Sequence, residues 1–205
     1  MLFRSNWVMN HAIQQIARWN TAYHTDLRMG INISPKQLDQ AGTMEELRKS
    51  IAEYQAHPRW IDIEITENVA LDNEDSAEKI KSHFQNKGIS VSIDDFGTGY
   101  SSLGYLSILS FDRLKIAKPL IDKITFDESS RKIVMSIVLL AKSLGLMTIS
   151  EGVETKEQFD LLRELGCDQI QGYYLGRPVP AAEFETTYLQ PYLQKHGKDH
   201  PEDKP

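Results

Sequence analysis

Short apolar runs that each end in a polar or acidic residue recur along most of the chain. Leu27–Ile31 leads to Asn32, Trp60–Ile63 to Glu64 with Glu67 just beyond, and Ile89–Ile93 to Asp94 and Asp95. Arg113–Leu114 leads to Lys115, Leu146–Ser150 to Glu151, and Cys167–Ile170 to Gln171. The stretches between these runs carry helical spacing. Ile80 and Phe84 share a face, as do Ile133, Ile137, Leu140 and Leu144, and Phe159, Leu162 and Leu165. Ile133 and Phe159 are therefore expected in the core. Helix ends are marked as well: Thr155 followed by Gln158 is a capping box, and Gly88, Gly145 and Gly166 stand where a helix ends before the next strand. A further amphipathic helix is predicted over Trp7–Trp19, with Met9, Ile13, Ile16 and Ala17 on one side. Strand, helix, glycine and strand in repetition make a βα array. Polar groups collected at the C-terminal ends of its strands predict the face of a (β/α) barrel, with an open doubly wound sheet as the poorer match.

Length and charge narrow the picture. The 205 residues, 40% of them hydrophobic, suit one globular domain, but a full (β/α)8 barrel takes about 250 residues. A net charge of −6 argues against a broad cationic surface for polymeric nucleic acid, and leaves room for a small nucleotide whose phosphates are met by metal ions. The single Cys167 excludes an intrachain disulfide and a multi-cysteine zinc site, so a buried structural thiol in a reducing compartment is expected. No apolar run approaches the about 20 residues of a bilayer span, and Met1–Ser5 is too short for a signal peptide. The expectation is a soluble, cytoplasmic chain with a disordered tail over 191–205, whose histidines are not ligands.

The run from Ser92 to Ser102 concentrates the candidate chemistry. It ends a strand in two adjacent carboxylates, which at an effective dielectric of 20 and 4 Å repel by roughly 4 kcal/mol unless a proton, solvent or a metal ion intervenes. Gly97 and Gly99 hinge the following loop, and no Lys-Ser/Thr pair of a phosphate-binding loop follows them. Asp95-Phe96-Gly97 is kinase-like in letters only, since no glycine-rich nucleotide loop or His-Arg-Asp segment accompanies it. Taken singly, Asn32 could cap a turn before Ser34-Pro35, Lys115 could pair with a neighbouring acid, and Gln171 could close a turn at Gly172. Their recurrence at the same ends of successive strands favours a shared site.

These segments resemble the EAL domain, the bacterial phosphodiesterase module for cyclic di-GMP. The resemblance is carried by Asn32-Ile33-Ser34-Pro35 with Gln37-Leu38, Glu64-Ile65-Thr66-Glu67, Asp94 through Ser102, Leu114-Lys115-Ile116, Glu151-Gly152-Val153-Glu154-Thr155, and Gln171-Gly172-Tyr173 leading to Gly176-Arg177-Pro178. Order and spacing match from about Trp7 to Phe184. The resemblance implies an α/β fold, a TIM-like (β/α) barrel with one antiparallel strand, of which this chain would carry about six of eight strands, the first two missing. Residues 1–5 would stand outside the family pattern, 6–190 would form a partial EAL domain, and 191–205 the tail. It further implies two ions, Mg2+ or Mn2+: one held by Asn32, Glu64 and Asp94, the other by Asp94, Asp95 and Glu151. Lys115 would orient the attacking water or take its proton, and Gln171 would hold substrate or the water network. Glu67 and Glu154 would support the site, Glu67 by anchoring the loop through Phe96, Gly97, Thr98 and Gly99. The implied partners are cyclic di-GMP, a second copy in a homodimer, and an upstream sensory or GGDEF domain. Two departures stand out: no Glu-Ala-Leu motif occurs in the chain, and Ala117 occupies the place of the family's Asp after Leu-Lys-Ile. Three function classes follow: a phosphodiesterase impaired as this fragment, a non-catalytic cyclic di-GMP sensor, or a protein-interaction module.

Overall fold

The computed structural model describes residues 2–38, 40–67, 79–80, 82–98 and 111–196. Six strands, β1 Met29–Asn32, β2 Ile61–Thr66, β3 Ser90–Phe96, β4 Arg113–Ile116, β5 Met147–Ser150 and β6 Gln169–Ile170, form one sheet in sequence order. Every pairing among them is parallel. A doubly wound sheet reverses its strand order at a switch point, whereas unbroken order is that of a barrel wall. The sheet is thus a half-barrel, an incomplete TIM-like fold, as the strand-end pattern predicts.

Its helices include α1 Leu2–Tyr23, α2 Pro35–Leu38, α3 Ala41–Glu53, α4 Lys118–Ile121, α5 Glu128–Ser143 and α6 Lys156–Glu164. Alternation along each strand decides what faces them. Ile61, Ile63 and Ile65 on β2, Val91 and Ile93 on β3, and Leu114 and Ile116 on β4 are fully buried in one cluster with Ile13, Leu47, Phe84, Val134 and Leu162. Each such side chain contributes about 1.5–3 kcal/mol of burial. The residues between them, Asp62, Glu64, Ser92, Asp94, Arg113 and Lys115, take the other face, so the half-barrel has an apolar outside and a polar inside. The residue ahead of a strand can also clip it to its neighbour. Asp112 Oδ2 accepts the Val91 N–H at 2.9 Å, and Asp168 Oδ2 accepts the Thr148 N–H at 2.8 Å.

Helix boundaries follow their local signals. Thr155 and Gln158 form the reciprocal capping box of α6, and Asp127 caps α5 by accepting from the N–H groups of Ser129 and Ser130. Gly88, Gly145 and Gly166 all have positive φ, the left-handed geometry that a side chain disfavours. Cys167, expected to be buried, is only half-buried, because it lies just ahead of the edge strand β6; its sulfur is 3.0 Å from Ser150 Oγ.

Three further expectations need correction. Ile133 is 43% exposed, because the buried stripe of α5 runs through Ser130, Val134, Ile137, Val138 and Ala141. The two candidate stripes share Ile137, and contact with the sheet selects the second. Helix α1 spans Leu2–Tyr23, longer at both ends than the Trp7–Trp19 that the apolar spacing predicts. The stretch from Gly176 onward is a separate unit with its own helical run: α7 Ala181–Phe184, a π-helical turn Glu185–Leu189, and α8 Gln190–His196. Within it Phe184 packs against Tyr188 with ring centroids 5.7 Å apart. Residues 191–196, expected as tail, are therefore helical. Pro191 lies inside this continuous helical run just after the π-helical turn, an irregularity of the kind that accompanies a missing backbone N–H. Residues 197–205 lie outside the described residues. No helix among the described residues is long and apolar enough to cross a membrane.

Candidate functional site

The site is built on an irregularity in β3. Ile93 pairs with Leu114 and Phe96 with Ile116, so two residues, Asp94 and Asp95, stand opposite the single Lys115. This is a β-bulge, which breaks the alternation that would otherwise send adjacent side chains to opposite faces. Asp95 accordingly has φ 56°, a left-handed conformation that costs a non-glycine residue about 1–3 kcal/mol. Local bonds hold it there: Asp94 Oδ1 accepts the Asp95 N–H at 3.0 Å, and Thr98 Oγ1 donates to the Asp95 carbonyl at 2.9 Å. Phe96 is buried. Gly97, at φ 94°, donates its N–H to Glu67 Oε2 at 3.0 Å. Glu67 thus ties the start of this loop to the end of β2, while Gly99 and the residues to Ser102 lie outside the described residues.

Lys115 is the hub. Its side chain is 4% exposed, and Nζ lies 2.8 Å from Glu64, 3.1 Å from Asp94 and 2.7 Å from Glu151. Burial pushes this ammonium down, but its hydrogen bonds to Glu151 and Glu64 together overcome that and hold it above its ordinary value. Burial raises the Glu64 carboxyl, the Lys115 hydrogen bond opposes the rise, and the charge of Asp94 adds to it. Asn32 Nδ2 donates to Glu64 Oε2 at 3.1 Å.

Space for Glu64 comes from Gly30 on the neighbouring strand, where a Cβ would stand 2.3 Å from Glu64 Oε1. The obstructing atom is the end of a flexible side chain, so Gly30→Ala should displace the carboxylate and spare the fold. The expected result is an unchanged melting temperature with Mn2+ affinity lowered on the order of tenfold, read by calorimetric titration. A lowered melting temperature with unchanged affinity would mean that the backbone gives way instead.

The remaining expected residues are placed as follows. Asp94, Asp95 and Glu151 each bring an oxygen within 4.8 Å of the others. This all-oxygen set, with Glu64 and the Asn32 amide beside it, suits a hard divalent cation. Gln171 is exposed at the end of β6, its N–H bonded to the Ser150 carbonyl and its own carbonyl to the Val153 N–H. The next residue must be glycine, because a Cβ at Gly172 would stand 2.1 Å from the Val153 carbonyl oxygen. Glu154 turns to Lys118 Nζ at 2.9 Å, which also holds Asp122. Sequence reasoning passed over one feature, an Asp62–Arg113 ion pair in the layer beneath. Its signal was present in charged residues two apart on one strand, Asp62 with Glu64 and Arg113 with Lys115.

Comparison with known proteins fits this geometry. A family model described as the EAL domain matches residues 3–178. The bifunctional diguanylate cyclase/cyclic di-GMP phosphodiesterase MucR of Pseudomonas aeruginosa is 37% identical over 177 residues, which are 86% of this chain and 26% of that protein. The chain therefore spans about a quarter of that curated relative. Among solved structures, the PaMucR phosphodiesterase in complex with c-di-GMP superposes with a TM-score of 0.85 at 36% identity, over 89% of this chain and 74% of that one. The manganese/cyclic di-GMP complex of Klebsiella pneumoniae BlrP1 superposes with a TM-score of 0.75 at 27% identity, over 85% of this chain and 44% of that one. Since the match runs from the first helix past the last strand of the half-barrel, the chain belongs to the EAL domain family.

Proposed function

We propose that this chain carries the hydrolytic site of a cyclic di-GMP phosphodiesterase, which opens one phosphodiester of the ring to give linear pGpG. The observation that supports it best is the cluster Asp94, Asp95 and Glu151 around Lys115 at the C-terminal ends of parallel strands. Asn32, Glu64 and Asp94 would hold one divalent ion, Mg2+ or Mn2+, and Asp94, Asp95 and Glu151 the second. When bound, such ions bring the pKa of a water toward neutrality and offset the charge developing on the phosphodiester. The chain's own groups do the rest. Lys115 Nζ directs its three N–H groups at Glu64, Asp94 and Glu151; as those carboxylates turn to bound ions, a freed N–H would donate to the attacking water and fix its orientation. Gln171 holds substrate or the water beside it. Glu67 keeps the loop after Asp95 in register with β2, and Glu154 acts through Lys118 on the turn that follows Glu151.

The reading extends to a whole protein that works in the cytoplasm, dimerises through the loop after Asp95, and joins this module to an upstream sensory or GGDEF domain. A second reading, a non-catalytic cyclic di-GMP sensor, is favoured by Ala117, which is fully buried at the start of α4 where the family's pattern has a carboxylate. One experiment on the full-length protein separates them: product analysis of cyclic di-GMP with Mn2+, beside a binding titration with Ca2+. Release of linear dinucleotide that a chelator abolishes is the expected result. Binding without turnover establishes the sensor, and absence of both removes the nucleotide reading.

A further inference from the structure

Beneath the acids, the polar face carries a second ion pair that the proposed chemistry does not use. Residues two apart on a strand share a face about 7 Å apart, so Asp62 stands below Glu64 on β2 and Arg113 below Lys115 on β4. Asp62 Oδ1 and Arg113 Nη1 are 3.2 Å apart, and the side chains are 8% and 5% exposed. The other oxygen of Asp62 accepts from Ser92 Oγ at 2.6 Å, on the strand between them. The charged atoms are close enough to attract, yet neither Oδ1 nor Nη1 has a partner at hydrogen-bonding angles. A buried ion pair with such geometry is a poor stabiliser; matched apolar side chains would serve the fold as well or better.

The two layers repeat the same charges on the same strands, acid on β2 and base on β4. Each lower group therefore repels the group directly above it and is the alternative partner of the group across the sheet. We propose that Asp62 and Arg113 are positioning residues: by occupying each other, they keep Asp62 from capturing Lys115 and Arg113 from capturing Glu64, so that both upper groups stay at the open end of the strands. This rests on the metal-dependent reading of the site, but concerns only where Lys115 and Glu64 point.

The test uses single variants whose effects on metal binding have opposite signs. In Asp62→Asn, the unpaired Arg113 draws Glu64 down, and Mn2+ affinity of the 205-residue chain falls by about tenfold. In Arg113→Met, the unpaired Asp62 draws Lys115 out of the carboxylates, so Mn2+ binds as tightly or more tightly, while any cyclic di-GMP turnover falls by about tenfold. A purely structural pair would weaken Mn2+ binding in both variants in step with their melting temperatures, and that result overturns the proposal. The double variant Asp62→Asn/Arg113→Met, which buries no charge and keeps an acceptor for Ser92 Oγ, guards against misfolding. It should melt at or above the parental temperature and bind Mn2+ with parental affinity. Impaired Mn2+ binding in a fully folded double variant also counts against the proposal. Because Mn2+ affinity is read without substrate, a failure to hydrolyse cyclic di-GMP would sink the functional reading and leave this test standing.

Discussion

Asp94→Asn in the full-length protein should lower cyclic di-GMP hydrolysis by roughly a thousandfold or more, the loss of several kcal/mol of metal-borne charge stabilisation at a tenfold change per 1.36 kcal/mol. An amide keeps the size of the side chain but surrenders its charge and one ligating oxygen, and Asp94 is the group assigned to both ions. The fold should not suffer. Asn retains an oxygen for the Asp95 N–H and for Lys115, which keeps Glu64 and Glu151 as partners. Removing one of several crowded like charges also relieves repulsion that bears on Glu64. A melting temperature at or above the parental value beside a collapsed rate is the expected pair of measurements. Near-parental hydrolysis with the same Mg2+ dependence would require rebuilding the site around other residues.

Lys115→Met should act on stability as strongly as on chemistry. The ammonium touches three carboxylates from three strand ends, and removing the cation of a buried cluster leaves uncompensated charge at a cost of about 3–5 kcal/mol. The metal-free variant should therefore melt well below the parental protein. Divalent cations should then recover more melting temperature in the variant than in the parent, because the same acids gain a replacement counter-charge. Saturation at about 100 times Kd supplies about 2.7 kcal/mol. Turnover should stay lost even when metal has restored the fold, since methionine cannot orient water. Thermal scans across a Mn2+ series check this directly. Equal metal-dependent stabilisation of parent and variant would show that Lys115 is not the counter-charge that holds the acids together.

Much of this arrangement is legible in the sequence because it rests on local signals. The apolar runs end at Asn32, Glu64, Asp94, Lys115, Glu151 and Gln171, and the six strands formed from those runs are parallel and lie in sequence order. Thr155 with Gln158 and the three helix-ending glycines need only their nearest residues to act, and each behaves as the spacing predicts. What the sequence does not reveal depends on contacts between distant segments. Ile133 and Val134 both begin a plausible apolar stripe, and only docking against the sheet decides between them. Whether adjacent aspartates face one way or opposite ways depends on the extra residue in β3 relative to β4. The Asp62–Arg113 pair requires the register of three strands, although its period-two spacing under Glu64 and Lys115 was open to view.

The left-handed backbone at Asp95 bears on how this lineage can change. An aspartate codon reaches asparagine, glycine, glutamate, alanine, valine, histidine and tyrosine by single-base changes. At φ 56° a β-branched valine is heavily penalised, whereas asparagine and glycine are the replacements the backbone accepts most readily. Glutamate, the one neighbour that preserves the charge, gains little because its longer side chain does not share aspartate's tolerance of this conformation. The easiest genetic steps at this codon therefore discard a carboxylate while leaving the half-barrel intact. Descendants that keep the half-barrel but have lost one carboxylate of the acidic cluster lie one point mutation away.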